Sequence, residues 1–462
     1  MVVGLKTLHI VHKMHQGQQP LNDSSSILET NFVNFNISKF GIYPRTFRVV
    51  SATKQVAQGI KIYTSSRDTP IIREYFYSKS SADSTLKRSA IYDLSKLASL
   101  FDYKMKQKHW IFDLQTYEDS LYVSFVAQPQ SLGACDDYRI VEIPIANGKL
   151  QLNKVNSIWK FDQCISSFPN YPGWHDFQGR LSVSKNNVYM TAGLIVASTY
   201  EGFYPSPFLS GLLPALEEEI DRDKLYGGLI QVNKKTTKSK LFATGFRGPS
   251  GITIKETIAT DTIWVADHGP RGGDELNLVD EGKNYGWPWV SYGTKYFDSI
   301  PGQSGYIDTN FAFHEGYTKP RYYWVPSIAP SQLVSLNANY LKIPTWDNSD
   351  LLMASLKAES LFHINVNDAN YVESIEQIPI GNRIRDLSIE KGMIIMTTDD
   401  GQLMILSPNA SKLSAGAFPP IESISATKSD ANVIDKANYL LERIGLSIQY
   451  RGTQLYRRFF SD

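Results

Sequence analysis

Six times along this chain an alternating strand, a polar turn and a second strand rich in β-branched and aromatic residues recur. No other sequence feature narrows the fold as far. The copies are divergent. They begin near Phe47 (FRVVSATKQVAQGIKIYTSS), Ile111 (IFDLQTYEDSLYVSFVA), Arg180 (RLSVSKNNVYMTAGL), Gly251 (GITIKETIATDTIWVADHG), Ser327 (SIAPSQLVSLNANYL) and Arg385 (RDLSIEKGMIIMTTDDGQLMIL). Successive starts lie roughly 55 to 80 residues apart, which suits a four-stranded blade carrying loop insertions. Six units predict an all-β fold, a six-bladed β-propeller over 47–408, with 1–46 as an N-terminal extension and 409–462 as a linker and tail. Ala90 to Phe101 reads as a short helical piece. In the tail, Val433, Ala437, Leu440, Leu441 and Ile444 have helical spacing and predict a short helix outside the propeller.

A propeller gathers the ends of its inner strands, and the loops that follow them, around one mouth, so residues distant in sequence converge there. Charge narrows what such a mouth meets. Lys plus Arg number 47 against 46 Asp plus Glu in 462 residues, which removes the whole-chain electrostatic argument for nucleic acid or an anionic membrane. No run of eighteen apolar residues occurs, so no membrane span is expected. A small neutral substrate fits this balance. Met1 to Gln16 is mildly basic, carries three histidines and lacks an apolar core or small-residue cleavage site, so export is not read from it. The two cysteines, Cys135 and Cys164, flank a strand pair outside any metal-ligand spacing; one disulfide and two buried thiols are both open.

The densest chemistry lies in 264–288, WVADHGPRGGDELNLVDEGKNYGWP. There a short apolar strand runs into a Gly/Pro loop carrying Asp267, His268, Arg271, Asp274 and Glu275. Binding groups concentrate on such loops; a solvated turn closed by its own salt bridges is the alternative. Arg383 and Arg385 sit two apart at a strand start, so period-two alternation points both guanidinium forks the same way, which suits a multiply charged acid. Arg247 and Lys357 add positive charge at two further strand ends, and four cations aimed at one mouth call for an anion. His175, beside Asp176 in GWHDFQGRL, has the chemistry of a general base.

Together these runs carry a resemblance. HGPRGGDELN, with GKNYGWP after it and GFRGPSG before it, then HEGYTKPRYYWVPSIAPS, LLMASLKAES and GNRIRDL, resembles the soluble pyrroloquinoline quinone (PQQ)-dependent sugar dehydrogenases, over about Trp110 to Leu406. That family includes glucose and aldose sugar dehydrogenases, six-bladed propellers with the quinone in the central mouth. The resemblance implies that Arg247, Lys357, Arg383 and Arg385 hold the quinone's carboxylates and carbonyls and that His268 faces it. It implies that Gly269 and Pro270 give main-chain oxygens to Ca²⁺, and that Glu275 with Tyr285 matches a second, structural calcium site. His175 becomes the base that takes the sugar hydroxyl proton as hydride passes to the quinone. The activity implied is oxidation of an aldose to its lactone, with an unidentified electron acceptor. The compartment implied is periplasmic or secreted, and with it a Cys135–Cys164 disulfide.

Two departures mark this chain. Where the family has Arg-Asn-Pro it has Arg247-Gly248-Pro249, and Trp174 precedes His175 in place of an acid or histidine. They motivate an alternative: a propeller that has lost turnover and binds carbohydrate or a protein. A calcium-dependent lactonase would instead line the mouth with carboxylates, where this sequence places cations.

Overall fold

The computed structural model describes 24–28, 34–43, 49–66, 69–79, 84–100, 110–127, 135–160, 165–166, 178–193, 227–255, 261–270, 272–287, 290–293 and 316–336. It also describes 314, 341, 343 and 346–409. The chain divides into two compact units, Met1–Leu413 and Ser414–Asp462, and all described residues belong to the first. The predicted tail helix therefore lies outside the described residues.

The first unit is a six-bladed β-propeller. Its inner strands are Val49–Val56, Trp110–Tyr117, Gln178–Val183, Pro249–Lys255, Pro330–Ser335 and Ile384–Glu390, one opening each antiparallel sheet. These are the six repeats of the sequence, in order. Each polar turn of the repeat is the link between the first and second strands of a blade, as in Val49–Val56 with Gly59–Ser66. The piece around Ala90 divides differently. Ser84–Asp93 is the outer strand of the first blade and only Leu94–Leu100 winds, as a 3-10 turn.

Ring closure is where the sequence reading and the sheet differ. Phe35–Gly41 pairs antiparallel along Gln402–Pro408, with Phe35 opposite Pro408, and Ser24–Leu28 adds outside it. Both strands fall within 1–46, so part of that stretch belongs to the last blade's sheet. Hydrogen bonds between the two ends of a chain hold a propeller closed, because without them the first and last blades have only side-chain contact.

The core sits between blades. Six separate apolar clusters fill the six gaps: Val50 with Ile111, Phe112 with Leu181, Leu229 with Val265, Trp264 with Leu333, Leu352 with Met396, and Ile395 with Ile62. Nearer the axis, where inner strands converge, polar groups bridge neighbouring blades. Ser124 Oγ donates to the Gly179 carbonyl (2.6 Å), Ser250 Oγ to Pro330 (2.6 Å), Ser331 Oγ to Ile384 (2.6 Å) and Thr397 Oγ1 to Val49 (2.6 Å).

Arg180, 3 % exposed, occupies the centre of this ring. Its guanidinium pairs with Asp113 (2.9 Å) and Asp386 (3.4 Å) and donates to the carbonyls of Ser250 (3.0 Å), Ser331 (2.8 Å) and Arg385 (2.6 Å). Asp386 in turn accepts the Ser51 amide (2.7 Å). One buried side chain is thereby bonded, directly or through a carboxylate, to the inner strands of all six blades.

Candidate functional site

The strand Thr262–Asp267 ends on Asp267, whose buried carboxylate accepts the main-chain amides of Arg247 (2.9 Å) and Gly248 (2.7 Å). That clamp fixes the turn leading into the inner strand of the same blade and so aims Arg247. The Arg247 guanidinium donates to the His268 carbonyl (3.3 Å) and lies 5.5 Å from the Trp287 ring centre. Burial, with the Glu275 carboxylate nearby, pushes Asp267 up to about 8 against the pull of those amides and of Arg247.

His268 donates its amide to the Gly248 carbonyl (3.0 Å), and its Nε2 meets the Pro330 carbonyl. A carbonyl only accepts, so Nε2 carries the proton. Burial pushes this imidazole below its ordinary pKa, outweighing Asp274 and the Pro330 carbonyl, and Arg247 and Arg385 act in the same direction. Its surroundings thus favour the neutral ring.

The following loop doubles back on itself. A Cβ on Gly269 would collide with the carbonyl oxygens of Gly272 and Gly273, both of which hold positive φ (+85° and +68°). Only glycine permits that approach. Among the described residues no hydrogen bond uses the carbonyl oxygens of Gly269 or Pro270. Asp274, fully buried, bonds the Gly269 amide (2.9 Å), Ser327 Oγ (2.6 Å) and the amides of Ile328 and Ala329 (2.7 Å each).

Two cation-bearing segments arrive from the next blades. The Lys357 amide donates to the Ile328 carbonyl (3.0 Å), while its ammonium is exposed and has no partner among the described residues. Arg385 forms a bidentate pair with Asp399 (2.8 and 3.0 Å), and Arg383 adds a single bond to the same carboxylate (3.1 Å). Arg383 also donates to the Leu356 carbonyl (3.4 Å), next to Lys357. Burial pushes Asp399 up, but Arg385 and Arg383 together hold it below the usual carboxylate range. The two forks thus already share one anion, and the pair presents one net positive charge.

Glu275 and Tyr285 lie behind this rim, against a small space of about 10 Å³ that Asp267, Trp287 and Ser291 also line, room for one water or one ion. The Glu275 carboxylate is 3.4 Å from His314 Nε2 and accepts from Asn277 (3.2 Å). The Tyr285 hydroxyl donates to the Leu278 carbonyl (2.6 Å) and accepts from Asp280 N (3.0 Å), which leaves only its main-chain oxygen for a cation. Trp287 Nε1, Asn277 Oδ1 and both His314 ring nitrogens are buried without a hydrogen-bond partner among the described residues.

Arg247, His268, Gly269, Pro270, Lys357, Arg383 and Arg385 are thus linked by contacts across three consecutive blades. His175 lies outside the described residues, as do Trp174 and Cys164. The sequence places Asp267 and Asp274 on the loop read as a binding loop without separating their roles, and does not single out Asp399; all three organise the rim. Asp267 and Asp274 stand inside the dense motif, one ending the strand before its Gly/Pro loop and the other opening the strand after it, and an acid at a loop end is a signal for loop clamping.

The donor set fits what the resemblance requires. The main-chain oxygens of Gly269 and Pro270, which accept no hydrogen bond among the described residues, are of the hard type that would suit a Ca²⁺. A free ammonium and a partly neutralised arginine pair suit a planar polycarboxylate.

Residues 226–406 match the Glucose / Sorbosone dehydrogenase family. Aldose sugar dehydrogenase YliI of Escherichia coli (strain K12) is 30% identical over 206 residues, 41% of this chain and 53% of that protein. Quinoprotein glucose dehydrogenase B of Acinetobacter calcoaceticus is 23% identical over 218 residues, 37% of this chain and 43% of that one. The chain spans about half the length of the curated relatives it matches. In fold it is similar to the apo crystal structure of the soluble Escherichia coli aldose sugar dehydrogenase, with TM-score 0.56 and 20% identity over 81% of this chain and 100% of that one. The similarity to the glucose/sorbosone dehydrogenases lies in 226–406, the stretch that bears Arg247, His268, Glu275, Tyr285, Lys357, Arg383 and Arg385.

Proposed function

We propose that this chain is a PQQ- and Ca²⁺-dependent aldose dehydrogenase that converts the anomeric hydroxyl of a sugar to a lactone. The observation that carries the reading is the meeting of Arg247, Lys357, Arg383 and Arg385 with two uncommitted carbonyl oxygens on one rim. Similarity to a curated aldose sugar dehydrogenase and to a quinoprotein glucose dehydrogenase supports it.

In this reading Lys357, Arg383 and Arg385 bind carboxylates of the cofactor, and Gly269 and Pro270 hold Ca²⁺ through main-chain oxygens. When bound, the quinone with its Ca²⁺ supplies the hydride acceptor. His175 takes the hydroxyl proton, so one hydride and one proton leave the sugar and a lactone remains. His268 faces the same space. Glu275 and the Tyr285 main chain serve a second, structural Ca²⁺. An unidentified acceptor takes the electrons onward. A periplasmic or secreted location and a Cys135–Cys164 disulfide belong to this reading.

Adding PQQ and Ca²⁺ to the purified chain tests it: the quinone absorbance shifts and a dye is reduced when an aldose is supplied. His175→Ala lowers kcat by about a hundredfold, the usual range for a positioned base, and leaves quinone affinity nearly unchanged. Equal loss of binding, activity and thermal stability would mark His175 as structural. The Asp399 pairing favours a second reading, a propeller that binds without turnover, because the two arginines are already satisfied in part without a cofactor. Quinone binding with no dye reduction across a broad aldose panel establishes that alternative.

A further inference from the structure

We infer that Asp274 is the positioning residue of the rim: one carboxylate that sets the Gly269–Pro270 oxygens, the His268 ring and Lys357 in register with one another. The inference deepens the cofactor reading above and rests on it. Asp274 opens the third strand of its blade and is fully buried. Its Oδ1 accepts the Gly269 amide (2.9 Å), the first residue of the carbonyl pair. Its Oδ2 accepts three donors from the start of the next blade, Ser327 Oγ (2.6 Å), Ile328 N (2.7 Å) and Ala329 N (2.7 Å).

The 327–330 turn then passes the constraint on. The Ile328 carbonyl accepts the amides of Lys357 (3.0 Å) and Ala358 (3.2 Å), and the Pro330 carbonyl meets His268 Nε2. Ala329 between them sits at φ +54°, a left-handed conformation that a non-glycine residue holds only when its surroundings enforce it. Two amides and a hydroxyl fastened on one oxygen are such an enforcement. A carboxylate alone can do this, since all four partners are donors; an amide in its place turns a donor toward at least one of them.

The test compares Asp274→Asn with Asp350→Asn. Asp350 is equally buried and accepts from His363 (2.8 Å), Asn365 (2.9 Å) and the Asp347 amide (2.8 Å), away from the rim. Both variants lower thermal stability. Only Asp274→Asn is expected to raise the dissociation constant of PQQ for the metal-loaded protein, about tenfold or more, measured well below both melting points. It is also expected to speed amide hydrogen exchange in peptides covering 266–270, 327–331 and 356–358. Ser327→Ala, which removes one of four donors, is expected to show a fraction of each effect. Unchanged quinone affinity in Asp274→Asn, or equal losses in both variants, overturns the inference. If the wild type binds no PQQ, the cofactor reading fails. Exchange that quickens at all three peptides in Asp274→Asn alone then still supports the positioning role, and exchange that does not quicken sinks it.

Discussion

Arg180→Met is expected to cost about 3 to 5 kcal/mol of folding stability, the usual range when one partner of a buried ion pair is removed. The reason lies in what stays behind. Asp113 and Asp386 are 0 % and 1 % exposed, and Arg180 is their cation. Even with Arg180 in place, burial, reinforced by Asp386, pushes Asp113 up to about 7 against the pull of the guanidinium. Three strand carbonyls, those of Ser250, Ser331 and Arg385, also lose their donor. Without the guanidinium Asp113 holds its proton more tightly still. A carboxyl whose folded pKa is raised stabilises the fold below its unfolded value near 4, and that stabilisation is lost as pH rises toward the folded value. The gap between wild type and Arg180→Met in urea midpoint therefore widens from pH 5 to pH 8. Arg180→Lys is expected to recover little, because one ammonium cannot reproduce a planar fork that reaches two carboxylates and three carbonyls. Equal midpoints for wild type and Arg180→Met at pH 8 would show that the axis is not what binds the blades together.

That same residue shows how far the sequence could be read. The inner strands announced themselves, because strand, polar turn and second strand lie next to each other and alternate with period two. The six apolar clusters follow from that pattern, since each strand's two faces meet the two neighbouring blades. Arg180 lay within one of those strand openings as an ordinary charged residue; its partners Asp113 and Asp386 are 67 and 206 positions away, and only closure of the ring brings them to one point. The pairing of Phe35–Gly41 with Gln402–Pro408 was hidden for the same reason: nothing local ties two segments at opposite ends of the chain. At the rim, residue types and their spacing pointed to Arg247, His268, Lys357, Arg383 and Arg385, while their neutralisation did not show. Asp399 lies in the turn after Met393–Thr398, and its role as shared partner of two arginines is a matter of geometry across a hairpin.

Arg385→Ala is expected to weaken PQQ binding by about 2 to 5 kcal/mol, roughly thirtyfold or more, and to do so more than Arg383→Ala. The two guanidiniums differ in burial and in grip. Arg385 is 13 % exposed at its side chain and holds Asp399 with two bonds; Arg383 is 48 % exposed and holds it with one. A charge removed from a desolvated position leaves its partners without compensation, whereas one at the solvent edge is replaced by water and screened by salt. In wild type the two arginines and Asp399 present one positive charge to the mouth. After Arg385→Ala the remaining pair is neutral, so a ligand carrying several carboxylates loses both a fork and the local field that attracts it. Lys357→Ala removes an exposed ammonium, and its effect is expected to shrink steeply between low and high salt, while that of Arg385→Ala persists. Equilibrium titration of each variant with PQQ at two ionic strengths, in the presence of Ca²⁺, reads both quantities. Curves for Arg385→Ala that superimpose on wild type at both salts would place the quinone away from this rim, and Asp399 would then be the only anion these arginines serve.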